Sequence, residues 1–316
     1  MARGDYMAIV QTDVPITAER CERMILQIVE KYPFCRTELL TQTAFGRPLR
    51  TLVIGNGERK VLYTAAHHAN EWITAYLLLK FGEELAEAIA NQGKLWGVSA
   101  ENIQKAATVY MVPLVDPDGV DLVTGAIAPG EAQYAIAQNL SAFYPQIPFP
   151  DGWKANLLGV DLNLQYPAGW LQAREIKFSQ GYTRPGPRDY VGRAPLSQAE
   201  SRALAGYTEF IDPDLVLAYH TQGREIYWQF QGIEVPGARA LGEEFARVSG
   251  YTLTDAPYES GFAGYKDWFI LRFGRPGYTI EAGEGTNPLP LGQFDQIYRD
   301  NLGILTTAAL GLPTGQ

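Results

Sequence analysis

The chain of 316 residues contains very little cysteine and very little histidine. Its two cysteines, Cys21 and Cys35, cannot form a disulfide framework, so a packed core must hold the fold, and a reducing compartment is the simpler setting. No apolar run is long enough to span a bilayer, and the opening Met1-Ala2-Arg3-Gly4-Asp5-Tyr6 leads into no stretch of signal-peptide type. The expectation is a cytoplasmic protein with no membrane partner. A basic block is missing too. Lys plus Arg number 26 against 35 Asp plus Glu, a net charge of −9, which argues against a nucleic-acid partner. With 46% hydrophobic and 19% charged residues, the composition excludes a disordered tail protein. Only His67, His68 and His220 are available for imidazole chemistry.

What is present reads as helices alternating with strands. Cys21, Met24, Ile25, Ile28 and Val29 share one helical face, in a helix from about Thr17 to just before Pro33. Leu49 to Ile54 and Val61 to Ala66 read as two strands of a hairpin around Gly55-Asn56-Gly57, followed by a helix from Glu71 through Ala90. Val109 to Val115 is the continuous apolar run of a strand buried on both faces, ending in a turn at Asp116-Pro117-Asp118-Gly119. Helices near 198–210, 238–248 and 293–309 alternate with strands at 215–219 and 278–282. This order predicts an α/β sandwich on a mostly parallel or mixed sheet, in one domain over residues 1–316. The proline-containing stretches 144–153 and 180–195 read as long surface loops, a frequent seat of function.

The chemistry gathers around the histidines. His68 and Glu71 lie three apart after a predicted strand, so one turn of chain can aim both at one point. Alone, this pair is as readily an accident of a helix start. His220 follows the apolar run Leu215 to Tyr219, at a strand end where open α/β sheets gather ligands. Two imidazoles and a carboxylate make a catalytic zinc set with one position left for water. Glu281, ending the strand Gly277-Tyr278-Thr279-Ile280-Glu281, is a candidate general base, with Glu284 as its rival. Asp161 is a candidate acceptor for the second N–H of a ligand histidine, or else a turn aspartate.

Together these residues resemble the zinc carboxypeptidase family of the M14, or funnelin, type. Its ordered pattern of H-x-x-E, a distant His and a Glu base corresponds to His68, Glu71, His220 and Glu281. Its asparagine-proline-aspartate-glycine turn resembles Asp116-Pro117-Asp118-Gly119, and its G-x-D-x-N-R segment resembles Gly159-Val160-Asp161-Leu162-Asn163-Leu164. The resemblance implies one Zn²⁺, a peptide substrate, and a three-layer α/β/α sandwich around a mixed, mainly parallel sheet of about eight strands.

The departures are informative. Lys154 of Trp153-Lys154 stands where the family has the arginine that polarises the scissile carbonyl; a lysine keeps the charge and loses the bidentate fork. Asn163 of the family's carboxylate clamp is present, but Leu164 replaces its arginine, which argues against ordinary C-terminal trimming. Tyr258 corresponds to the family tyrosine near the reacting peptide, and Lys266, in Tyr265-Lys266-Asp267-Trp268, to a residue of the side-chain pocket. Arg224 and Glu225 add charge at the rim. The segments 153–156, 159–163, 219–223 and 264–268 resemble the γ-D-glutamyl-L-diamino acid (diaminopimelate) peptidases. That branch implies hydrolysis of the γ-D-glutamyl–diaminopimelate bond in bacterial cell-wall peptides, during muropeptide turnover or recycling. The competing readings are a general metallocarboxypeptidase, a deacylase of amino-acid conjugates, and a catalytically inactive binding module on the same fold.

Overall fold

The computed structural model describes residues 8–312. The first part of the chain runs α1 (Ala18–Lys31), β1 (Leu39–Gln42), β2 (Pro48–Arg50), β3 (Leu52–Gly55), β4 (Arg59–Ala65) and α2 (Ile73–Ala90). There follow β5 (Lys94–Leu95), β6 (Val98–Ser99), α3 (Ala100–Ala106), β7 (Ala107–Val112), α4 (Pro117–Val123), α5 (Ala132–Ser141) and α6 (Trp170–Ser179). The last part holds α7 (Ala199–Ile211), β8 (Leu215–His220), β9 (Glu225–Tyr227), α8 (Ala238–Ser249), β10 (Thr252–Thr254), α9 (Tyr265–Phe273), β11 (Gly277–Glu281) and α10 (Phe294–Leu310).

Seven strands make the central sheet, in the order β10-β9-β11-β8-β4-β7-β3. The pairs β10/β9, β11/β8, β8/β4 and β4/β7 are parallel, while β11/β9 and β7/β3 are antiparallel. The sheet is therefore mixed and mainly parallel, one strand short of the number expected. Alternation along the strands explains the layers. Val61, Tyr63 and Ala65 of β4, with Leu215, Leu217 and Tyr219 of β8, pack against α1, α2, α3, α8 and α10. The intervening Leu62, Val216 and Ala218 face α6, α7 and α9 across the sheet. Because both faces are covered, β8 is buried at every position and reads as an unbroken apolar run.

Three local expectations fail. The predicted hairpin does not exist, because β7 lies between β3 and β4 and pairs with both. A short turn cannot reveal a third strand inserted from fifty residues away. The predicted strand 49–54 is also divided: β2 pairs with β1, while β3 joins the central sheet. Asp116-Pro117-Asp118-Gly119 is a helix start rather than a turn. Asp116 caps α4 by accepting the Gly119 N–H at 3.0 Å, and Pro117 takes the first helical position, where no N–H is needed. Gly119 has no room for a side chain, since a Cβ would fall 2.3 Å from Asp116 Oδ2 and 2.5 Å from the Ala155 carbonyl. Among the described residues, no helix is long and apolar enough to cross a membrane.

Candidate active site

The site lies where β4, β8 and β11, three neighbouring parallel strands, end on one edge of the sheet. Past β4 the chain turns through Ala66 in a left-handed conformation (φ 50°). The turn is pinned by the Ala66 N–H to Thr74 Oγ1 at 3.0 Å and by the Asp116 N–H to the Ala66 carbonyl. A short 3-10 turn at 69–71 then carries Glu71 back beside His68. His220 is the last residue of β8, and Glu281, the last of β11, is its register partner.

His68, Glu71 and His220 meet there, buried, with their donor atoms within 4.8 Å of one another. Glu71 Oε1 lies 2.9 Å from His68 Nδ1, and Oε2 lies 2.9 Å from His220 Nδ1. The two Nδ1 atoms are 3.2 Å apart. Asp161 Oδ1 is 3.2 Å from His68 Nε2, which fixes the proton on Nε2 and turns the Nδ1 lone pair toward Glu71. A lone pair facing a carboxylate demands a cation between them. The donor set of two imidazoles and one carboxylate suits zinc, so this cluster is compatible with a metal site.

The ionisation of these side chains alone shows the same demand. Burial opposes a charge on His68, but Glu71 and Asp161 outweigh it and lift the imidazole to about 9. Burial also opposes ionisation of Glu71, yet His68, Lys154 and His220 hold it well below the usual carboxylate range. His220 is lowered, chiefly by burial. His67 is fully buried, its ring stacked on that of His220 with centroids 5.6 Å apart, and it points its Nε2 at Tyr166 Oη, 3.3 Å away. It packs behind the cluster and does not join it.

Around the cluster is a cleft of about 520 Å³, within the range of small-ligand sites. Glu281 lines it, and burial followed by the charge of Glu71 raises this carboxyl to about 8. Glu284 is exposed and does not line the cleft; its N–H donates to Gln293 Oε1 at 3.2 Å. Lys154 enters from the other flank, with Nζ 3.1 Å from Glu71 Oε1, and is anchored by its fully buried neighbour Trp153. Burial works against its charge, but Glu71 and the nearby aspartates raise its pKa on balance. Asn163 also lines the cleft, its Oδ1 accepting the Tyr265 N–H at 3.0 Å.

Other expected residues lie elsewhere. Tyr258 is 61% exposed in a 3-10 turn, packs edge-on to Phe262, and borders a separate shallow hollow. Arg224 does not line the cleft. Its left-handed backbone (φ 55°) accompanies a guanidinium laid over the Tyr251 ring and 3.7 Å from Asp300 of α10. Glu225 does not line the cleft either, and it accepts the Tyr227 hydroxyl at 2.7 Å. Lys266 reaches the cleft wall, but its ammonium already donates to the Gln229 carbonyl at 2.6 Å and pairs with Asp267. Sequence reasoning missed Lys177, Arg188 and Asp189, which line the Asp161 flank. The only signal for the last two was their place in the proline-containing loop 180–195.

A mixed α/β sheet carrying an H-x-x-E pair and a distant histidine at one edge, with a glutamate on the adjoining strand, defines a zinc metallopeptidase. The comparisons agree. The chain belongs to the zinc carboxypeptidase family, whose model matches residues 21–303. It is 42% identical over 282 residues to gamma-D-glutamyl-L-diamino acid endopeptidase 1 of Lysinibacillus sphaericus, covering 89% of this chain and 68% of the relative. It is 37% identical over 289 residues to the uncharacterized protein YqgT of Bacillus subtilis, covering 91% and 75%. Among solved structures, carboxypeptidase A from Helicoverpa armigera superposes with a TM-score of 0.70 at 16% identity, covering 96% of this chain and 76% of that one. That likeness shows the carboxypeptidase fold.

Proposed function

We propose that this zinc peptidase hydrolyses the γ-D-glutamyl–diaminopimelate bond of bacterial cell-wall peptides. The observation that carries the hydrolytic reading is the register of β8 and β11, which sets His220 of the donor cluster beside Glu281 in one cleft. The bond specificity is supported by the relative named for gamma-D-glutamyl-L-diamino acids and by Leu164, which is buried in the cleft wall where a terminal-carboxylate clamp needs a cation.

In this reading His68, Glu71 and His220 hold the metal, and Asp161 keeps His68 in the tautomer that offers Nδ1. Zinc bound there supplies Lewis acidity and lowers the pKa of water. Glu281 accepts a proton from the attacking water as the C–O bond forms, then delivers it to the leaving nitrogen as the C–N bond breaks. The Lys154 ammonium faces the charge that develops on the carbonyl oxygen. Asn163, with its Oδ1 already taken, presents its amide N–H₂ to the substrate. Tyr258 is left out of this scheme, because its ring lies outside the cleft. The whole chain is taken as one catalytic domain. A cytoplasmic role in turnover or recycling of wall peptides fits the free thiols of Cys21 and Cys35.

The test is release of a diaminopimelate-headed fragment from a defined wall tripeptide or tetrapeptide, with and without a chelator, beside a panel of ordinary peptides with free or amidated C-termini. Chelator-sensitive cleavage of the wall peptide alone is expected. Comparable kcat/KM on the ordinary free-ended peptides would overturn the assignment in favour of a general metallocarboxypeptidase.

A further inference from the structure

We infer that Arg188 is the docking group for a free carboxylate of the substrate. The inference deepens the proposed function and rests on the cleft being a peptidase site. Four cationic side chains line this cleft, and three have their charge engaged. Lys154 lies 3.1 Å from Glu71, Lys177 lies 2.8 Å from Asp189, and Lys266 is held by Gln229 and Asp267. Arg188 differs. Its Nε donates to Asp189 Oδ2 at 2.6 Å, and no protein acceptor among the described residues takes its two terminal nitrogens. A guanidinium pinned along one edge keeps Nη1 and Nη2 for a second, planar acceptor, which is the geometry a carboxylate offers. The side chain is 40% exposed, so a ligand in the cleft can reach it.

The position is built rather than incidental. Asp189 holds Arg188 with one oxygen and the buried Lys177 with the other. Its own backbone is left-handed (φ 62°), a strained conformation for a side chain that branches toward two cations. The Asp189 N–H donates to Asp161 Oδ2 at 3.3 Å, and Asp161 Oδ1 faces His68. Neighbouring bonds fix the rest of the loop. The Lys154 and Ala155 N–H groups both donate to the Pro187 carbonyl, and the Asp161 N–H donates to the Tyr190 carbonyl. Arg188 is thus tied through three successive contacts, to Asp189, from there to Asp161 and on to His68, so a carboxylate seated on it sets the distance between substrate and reacting centre. With Asp161 counted beside Asp189, two cations here meet two carboxylates, so what this corner offers a ligand is the unclaimed Nη1 and Nη2 edge of Arg188 rather than a net positive charge.

The carboxylate can come from the glutamyl residue or from the diamino acid, and the assay separates them. Zinc-loaded full-length wild type, Arg188→Gln and Arg188→Lys are compared on three peptides. One is the γ-D-glutamyl–diaminopimelate peptide with all carboxylates free; the others are amidated at the glutamyl α-carboxylate or at the diaminopimelate carboxylate nearest the scissile bond. Arg188→Gln should raise KM on the free peptide about 10- to 100-fold with a smaller change in kcat. One amidated peptide should already be poor for wild type and lose nothing more in Arg188→Gln, which names the group bound. Arg188→Lys should recover part of the loss. Zinc affinity equal to wild type, measured by competition with a chromogenic chelator, shows that the Asp161–His68 link is intact. An equal loss on all three peptides, or no loss on any, overturns the inference. Should wild type cleave only ordinary peptides, the proposed bond specificity fails, and the same contrast between free and amidated termini on those peptides still decides Arg188.

Discussion

Replacing Glu281 by glutamine separates chemistry from stability in opposite directions. Glu281 is not one of the three converging donors, so the variant should retain zinc at wild-type stoichiometry. It removes the group proposed to take and return the proton, a contribution of about 10²- to 10⁴-fold in turnover. The carboxylate also carries a folding penalty. Burial and the neighbouring Glu71 raise its pKa from 4.5 to about 8. A carboxyl group whose folded pKa lies above its unfolded value costs nothing below the unfolded pKa, and costs progressively more as pH rises toward the folded one. For the metal-free protein the cost is on the order of 3 kcal/mol at pH 7 and about 1 kcal/mol at pH 5. Metal-free Glu281→Gln should therefore gain on wild type in urea unfolding by roughly 2 kcal/mol between pH 5 and pH 7. With zinc bound, the cation favours the ionised carboxylate and the gap should narrow. A stability difference that is the same at both pH values would refute the electrostatic reasoning. Wild-type turnover in the variant would remove Glu281 as the base.

Two further substitutions probe the surroundings. Asp161→Asn leaves His68 without its carboxylate partner, and zinc affinity measured by competition with a chromogenic chelator should fall about 10- to 100-fold; unchanged affinity would show that the tautomer is set elsewhere. Gly119→Ala puts a methyl group into the contact with Asp116 Oδ2 and the Ala155 carbonyl, and it should lower unfolding stability by about 1–3 kcal/mol. A neutral effect on the unfolding free energy would mean that the α4 start can shift to make room.

The elements legible in the sequence were those governed by local pattern. Thr17 caps α1 by accepting the Arg20 N–H, and the stripe of Cys21, Met24, Ile25 and Ile28 is its buried face. The two parallel strands buried on both faces, β7 and β8, announced themselves as apolar runs. The placement of β7 between β3 and β4 was not legible, because sheet order is decided by packing between distant segments. Helices α3, α5, α6 and α9 are likewise not read from the sequence. Trp170–Ser179 and Tyr265–Phe273 pack on the sheet face of Leu62, Val216 and Ala218, but each sets a lysine among its buried positions, so neither shows a clear apolar stripe. The donor residues could be named because their spacing is a chemical requirement. The rim could not, because whether Arg224, Lys266 or Arg188 meets the substrate depends on Asp300, Gln229 and Asp189, partners far away in sequence or invisible as partners.

The pairing of Glu281 with His220 on one rung of neighbouring strands has an evolutionary consequence. His220 and Glu281 are indexed to the hydrogen-bond ladder, whereas Arg188 and Asp189 belong to the connecting segment between α6 and α7. Descendants of such a scaffold are free to exchange that segment, and with it their appetite for one peptide or another, while the hydrolytic machinery stays in alignment.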